Sequence, residues 1–301
     1  MAAAMTARWC AVVLAVLLVA ASCCDARQRQ LWGPAVKAVG EKGVGNDADL
    51  CKSLVRRNWT LTLEDNFSEG LNTSRWEVRQ NQTHCEPCEP QLYLSKNVYV
   101  ANGSLVLKTD RERVVGPGGQ VFNFTSGWVD TKERWYQRFG RFEINASLPD
   151  RRSTGIWPAF WLMPNPSTAS PVDVCWPVGG EIDVFEYTAN PFVDAVFATF
   201  RWGPSCGDDK QPLPGSMYPP EFRAGSVDFT EFHTYAVEWN ETTMAFFVDD
   251  ECYHVKTANE VSIPQDPFYL ILDTAVAWYF PPGPDALYPV YHVIDYVRAY
   301  K

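Results

Sequence analysis

Beyond Cys51 the apolar positions of this chain fall in short runs, and no 3.6-residue apolar stripe of helical length joins them. The runs Ser104 to Thr109, Phe142 to Leu148, Glu181 to Tyr187, His233 to Trp239, Met244 to Val248, Phe268 to Val276 and Tyr291 to Tyr300 are rich in β-branched and aromatic residues. Gly, Pro, Asn and Asp break the chain between them. Several runs alternate. Tyr235, Val237 and Trp239 share one face, Thr234, Glu238 and Asn240 the other, and Asn240-Glu241-Thr242-Thr243 turns the chain back into Met244, which predicts a hairpin. Many short strands of this kind predict an all-β sandwich or barrel.

Composition narrows the partners. With 26 Lys+Arg against 36 Asp+Glu the chain carries a formal charge of −10 and has no basic run, which argues against nucleic acid and against a strongly anionic substrate. Its four His include no pair at ligand spacing, and Cys85-x-x-Cys88 has no second Cys or His pair, so neither a catalytic transition metal nor zinc is expected. No cofactor is expected either.

At the start, Arg8 precedes an apolar run from Trp9 to Ala21 and then small residues, which reads as a secretory signal over 1–24. The run falls short of the roughly 20 residues of a membrane span. Residues 25–50, mixed in charge and without apolar periodicity, read as a flexible leader, and 51–301 as one domain. Removing the signal leaves six Cys, Cys51, Cys85, Cys88, Cys175, Cys206 and Cys252, enough for three disulfides of open connectivity. Eight N-x-S/T acceptors, at Asn58, Asn66, Asn72, Asn81, Asn102, Asn123, Asn145 and Asn240, agree with an extracellular glycoprotein.

The chemistry concentrates in Gly180-Glu181-Ile182-Asp183-Val184-Phe185-Glu186-Tyr187. In a regular strand Glu181 and Asp183 share a face and Glu186 points the other way; a β-bulge at Val184-Phe185 would return Glu186 to the same face. The outer glutamates would then sit about 13 Å apart at Cα, close enough for side chains that lean together to reach the roughly 5 to 5.5 Å carboxyl separation of a retaining glycosidase. Ile182, Val184 and Phe185 make the opposite face apolar, unlike a solvated acidic loop. Upstream, Gly155-Ile156-Trp157-Pro158-Ala159-Phe160-Trp161 puts Trp157 and Trp161 on one face, and indole faces suit the CH face of a sugar ring. Trp128, Trp176, Trp202 and Trp278 are further candidates for sugar contact.

These residues resemble glycoside hydrolase family sixteen, and within it the laminarinase-like endo-β-1,3-glucanases. The likeness runs in order through Asp65-Asn66-Phe67, Asn97-Val98, Gly103-Ser104-Leu105, Ser126-Gly127-Trp128, Thr131-Lys132, Phe139-Gly140-Arg141-Phe142-Glu143, the Trp157 to Trp161 block, Trp176-Pro177, Glu181 to Glu186, Phe232-His233-Thr234-Tyr235 and Asp295-Tyr296-Val297-Arg298. It implies a β-jelly roll sandwich of the concanavalin A-like kind with a concave substrate cleft, acting as a monomer on neutral β-glucan by retaining double displacement. It also implies roles: Glu181 as nucleophile, Asp183 as the residue that hydrogen-bonds and tunes it, and Glu186 as general acid/base. Negative charge on Glu181 and Asp183 is expected to hold the proton on Glu186.

The chain departs from that pattern at four places. Arg201, followed by Trp202, stands where laminarinases tend to have His, which makes both candidates for substrate contact; Asp273-Thr274-Ala275-Val276-Ala277-Trp278 stands where they have Asn-x-Ala-x-Gly-Gly. Asn145 replaces an Arg, and Asn66 replaces the Glu that helps bind a structural calcium. Two other readings belong to the same likeness. Glucan-recognition relatives bind without cutting but lack one or both catalytic glutamates, and other members act on agarose or carrageenan or transfer the sugar to another glycan.

Overall fold

The computed structural model describes residues 51, 58–84, 89–166, 175–188, 194–207, 227–277 and 280–301, and the backbone of 216–218. The signal segment 1–24, the leader 25–50, Cys85, Cys88 and Trp278 lie outside the described residues. The predicted runs become strands: Ser104–Thr109, Glu181–Tyr187, His233–Trp239 and Phe268–Val276 coincide with the sequence reading, and Thr243–Val248 begins one residue early. The hairpin also forms, with Trp239 opposite Met244 and Asn240 Oδ1 accepting from the backbone N–H groups of Thr242 at 2.9 Å and Thr243 at 3.0 Å.

Two sheets dominate. One is ordered Glu251–Thr257, Thr243–Val248, His233–Trp239, Gly140–Ser147, Val290–Tyr300, Ser104–Thr109, Val98–Ala101, with Leu61–Asp65 also paired to Val290–Tyr300. The other is ordered Ser216–Tyr218, Val196–Arg201, Glu181–Tyr187, Ile156–Pro164, Phe268–Val276, Trp128–Asp130, Glu77–Val78. All pairings within these two sheets are antiparallel, as expected for a sandwich whose strands return through short turns. The arrangement is the predicted jelly-roll sandwich.

Alternation decides what each strand buries. Along Phe268–Val276, Phe268, Leu270, Leu272 and Val276 enter the large core, while Tyr269 and Ile271 join a smaller cluster with Tyr93, Trp128, Ala159 and Trp161 on the outer face of the second sheet. The core is aromatic: Trp239 is 1% exposed, with its ring 5.2 Å from both Phe139 and Phe268 in edge-to-face contact. Two of the cysteine pairings left open by the sequence are Cys51–Cys252 and Cys175–Cys206.

Candidate active site

The Glu181–Tyr187 strand carries the predicted bulge. Against Ile156–Pro164, Asp183 sits opposite Trp161 and Phe185 opposite Phe160, so two steps on one strand match one on the other and Val184 is the extra residue. Ile182, Val184 and Phe185 are all buried in the core, and Glu181, Asp183 and Glu186 share the outer face. Gly180 makes the entry possible: its φ is +86°, and a Cβ there would lie 3.1 Å from the Phe200 ring, which disfavours any larger residue.

Each glutamate is held by a different indole. Trp176 Nε1 donates to Glu181 Oε2 at 2.9 Å, and Trp157 Nε1 donates to Glu186 Oε1 at 3.2 Å. Thr199 Oγ1 reaches Glu186 Oε2 at 3.4 Å. The loop that presents Trp176 is pinned twice, by Cys175–Cys206 and by the bond from Gly207 N–H to Trp176 O at 2.8 Å. Arg201, opposite Glu181 on the neighbouring strand, places Nε 3.2 Å from Glu181 Oε1 and 3.6 Å from Asp183 Oδ2. A cation shared between these two carboxylates favours their ionised forms, as a nucleophile requires.

The proton on Glu186 has a different cause from the one expected. Its carboxyl is pushed above the usual range by burial, while the Arg201 charge and the bonds from Thr199 and Trp157 pull the other way. The direction suits a general acid. Replacing Trp157 with Phe removes one donor to the ionised form, so the Glu186 pKa rises further. The alkaline limb of the kcat/KM profile is expected to move to higher pH, and a limb that stays fixed would show that the indole N–H does not reach the reacting carboxyl.

The other predicted residues divide. Trp161 and Trp128 lie in the outer-face cluster, rings 5.6 Å apart in a T-shape, with Trp161 Nε1 donating to Asp273 Oδ1 and Trp128 Nε1 to Asp130 Oδ2. Both rings are mostly covered, at 8% and 5% exposed, so they form the base of the face and not an open platform. Trp157 and Trp176 are half-buried and closer to the carboxylates. Arg201 is engaged with Glu181 and Asp183 instead of standing free for substrate. Trp202 departs from the expectation: it follows Arg201, so alternation turns it away, and it packs against the interior core.

Three residues outside the expected site join this face. Tyr93 comes from the short Gln91–Tyr93 strand, which pairs in parallel with Phe124–Ser126 outside both main sheets. Its ring stands 5.1 Å from Trp128, and exposed His84 lies 5.6 Å from Trp161 and 5.7 Å from Trp128. Asp273, known from the sequence only as a departure, faces the same cluster. As for calcium, Asn66 Oδ1 accepts from Ser68 N–H at 3.2 Å and Ser68 Oγ at 2.9 Å, so the side chain standing in place of the Glu is taken up within its own turn. Among the described residues no group of three or more His, Cys, Asp or Glu is placed to hold a metal ion.

Similarity to known proteins agrees with this geometry. Residues 90–279 match the sequence model of glycosyl hydrolases family 16. The chain is 31% identical over 263 residues to a beta-glucanase of Rhodothermus marinus, covering 81% of this chain and 86% of that one. It is 30% identical over 236 residues to a glucan endo-1,3-beta-glucosidase of Cryptopygus antarcticus, covering 74% and 82%. The laminarinase catalytic domain of Thermotoga maritima superposes with a TM-score of 0.70 at 29% identity, covering 81% of this chain and 99% of that domain. With the family's residues in sequence order, its sandwich and its row of carboxylates in place, this chain belongs to glycosyl hydrolase family 16.

Proposed function

We propose that this glycoside hydrolase is an endo-β-1,3-glucanase acting on laminarin-type glucan with net retention. One observation carries the reading: a single bulged residue, Val184, puts Glu181, Asp183 and Glu186 on one face, with an indole donor on each glutamate. In the first step a Glu181 oxygen attacks the anomeric carbon, the glycosidic bond breaks, and the Glu186 proton passes to the departing oxygen. In the second, carboxylate Glu186 takes a proton from water as that water attacks the same carbon; the ester to Glu181 breaks, and both glutamates return to their starting states. Asp183 and Arg201 set the charge around Glu181.

The test is a panel of laminarin, mixed-linkage glucan, agarose and carrageenan with product analysis. Laminarin is expected to release oligosaccharides whose new reducing ends are β when first formed. Binding to laminarin with no reducing-sugar release would make the protein a recognition module, and preferred release from another polymer would reassign the substrate.

The protein is, on this reading, a secreted, monomeric glycoprotein. Asn58, Asn66, Asn72, Asn81, Asn102 and Asn123 are exposed and Asn145 and Asn240 half-buried, which supports use of the acceptors. The expected mature form begins between Cys24 and Arg27 and loses mass on enzymatic deglycosylation. N-terminal sequencing that still reads Met1, with no such mass change, would contradict secretion.

A further inference from the structure

Asp273 is a buried carboxylate within the outer face that the reaction above does not use. In the Phe268–Val276 strand it sits opposite Ala159, which on its other side is opposite Glu186, so the two carboxyls flank one small residue in a single cross-strand row. Two strand spacings separate their Cα atoms by about 10 Å, and both side chains lie on the same face, so the carboxyls can approach more closely.

The hydrogen bonds around Asp273 have a defined direction. Val276 N–H donates to Gln91 Oε1 at 3.0 Å, which fixes the Gln91 amide so that its NH2 faces Glu89 Oε2 at 2.7 Å and the Tyr93 hydroxyl oxygen at 3.0 Å. The Tyr93 hydroxyl, already accepting, therefore donates to Asp273 Oδ2 at 2.7 Å. Trp161 Nε1 donates to Oδ1 at 2.8 Å. Both oxygens of Asp273 accept, the pattern that suits a carboxylate, whereas an Asn would point its NH2 at one of the two donors.

We propose that Asp273 is a positioning residue of this site: it orients Trp161 and Tyr93 at the base of this face through two accepted hydrogen bonds, and its carboxyl is coupled electrostatically to that of Glu186 across Ala159. The charged and titratable groups packed around the pair each have partners or are held neutral. Asp130, on the neighbouring Trp128–Asp130 strand, is taken up by Arg79 at 2.6 Å. On the far side, Arg201 is paired to Glu181 and Asp183, and its charge draws the Glu186 pKa down. Behind the sheet, His292 is kept neutral by burial, with its pKa driven to about 3. Burial, opposed by Tyr93 and Trp161 and reinforced by Glu186, places Asp273 at about 7, so the two carboxyls compete for protons as the medium approaches neutrality.

Asp273→Asn keeps the shape and removes the charge. The decisive measurement is a carbon-13 NMR titration of glutamate side-chain carboxyls, with Glu186 identified from Glu186→Gln, in the full-length protein and in Asp273→Asn. The Glu186 midpoint is expected to fall by about half a unit or more. An unchanged or raised midpoint overturns the charge role whatever the substrate is. The orienting role rests on the glucanase reading and is read separately: Tyr93→Phe, which keeps the ring, is expected to raise KM for laminarin oligosaccharides severalfold with kcat within twofold. A KM equal to that of the parent overturns it. Should Asp273→Asn fail to fold, Asp273→Ser supplies the uncharged variant for the same titration.

Discussion

Glu186→Ala is expected to lose about 10²- to 10⁴-fold in polymer hydrolysis yet to keep forming the glycosyl-enzyme from a β-glycoside with a good leaving group. Such a substrate needs no proton donor, so Glu181 still attacks, and the ester then waits for a nucleophile that Glu186 no longer activates. Azide enters on the face water would have used and gives the β-azide. Glu181→Ala removes the nucleophile itself, and azide occupying the vacated space attacks from the opposite face to give the α-azide. Anomeric assignment by NMR therefore separates two residues that one strand presents side by side. If the anomers come out exchanged, the roles are reversed; if either variant matches the parent on polymer, the chemistry lies elsewhere.

A second large effect concerns the bulge. Deleting Val184 leaves Glu-Ile-Asp-Phe-Glu, in which plain alternation keeps all three carboxylates on one face. The loss is one buried valine, about 1 to 3 kcal/mol, and hydrolysis is expected to remain measurable. Inserting one residue beside Val184 also keeps Glu186 on the outer face by plain alternation, but carries it two positions along the neighbouring strand, from opposite Ala159 to opposite Trp157. Glu186 then leaves its contacts with Trp157 and Thr199 and moves away from Glu181, and activity is expected to fall below detection. Thermal unfolding together with laminarin assays distinguishes the pair. Equal activity in both variants would mean that the bulge does not set the row.

Much of this was readable from single residues and their periods. The bulge followed from the five-residue step between Glu181 and Glu186, because one face of that strand had to be Ile182, Val184 and Phe185. The pairing of Trp157 and Trp161 on one face followed from their four-residue spacing in a strand, and the register bears it out. The partners of the indole nitrogens were not readable, since cross-strand register is a property of the folded sheet: nothing local to Trp161 points to Asp273, 112 residues away. Tyr93 is not legible in the sequence because its strand of three residues is too short to show a period. The place of Trp202 is not legible in a sequence of tryptophans, which does not say which are core, whereas alternation from Arg201 gives it once the strand is known.

The pairing of Leu61–Asp65 with Val290–Tyr300 bears on how the protein is made. Glu64 lies opposite Arg298, a separation of 234 positions, and Thr60 and Lys301 exchange both backbone hydrogen bonds at 2.8 Å. A strand emerging early from the ribosome thus has no partner until nearly the whole domain has been synthesised, about 12 to 50 seconds later at ordinary elongation rates. During that interval its backbone donors and acceptors stay open, and in the secreted glycoprotein proposed above Asn58, Asn66 and Asn72, which flank it, would be accessible to modifying enzymes before the sheet closes over their neighbours. The order of translation, and not the finished surface, then decides which of those asparagines can be reached first.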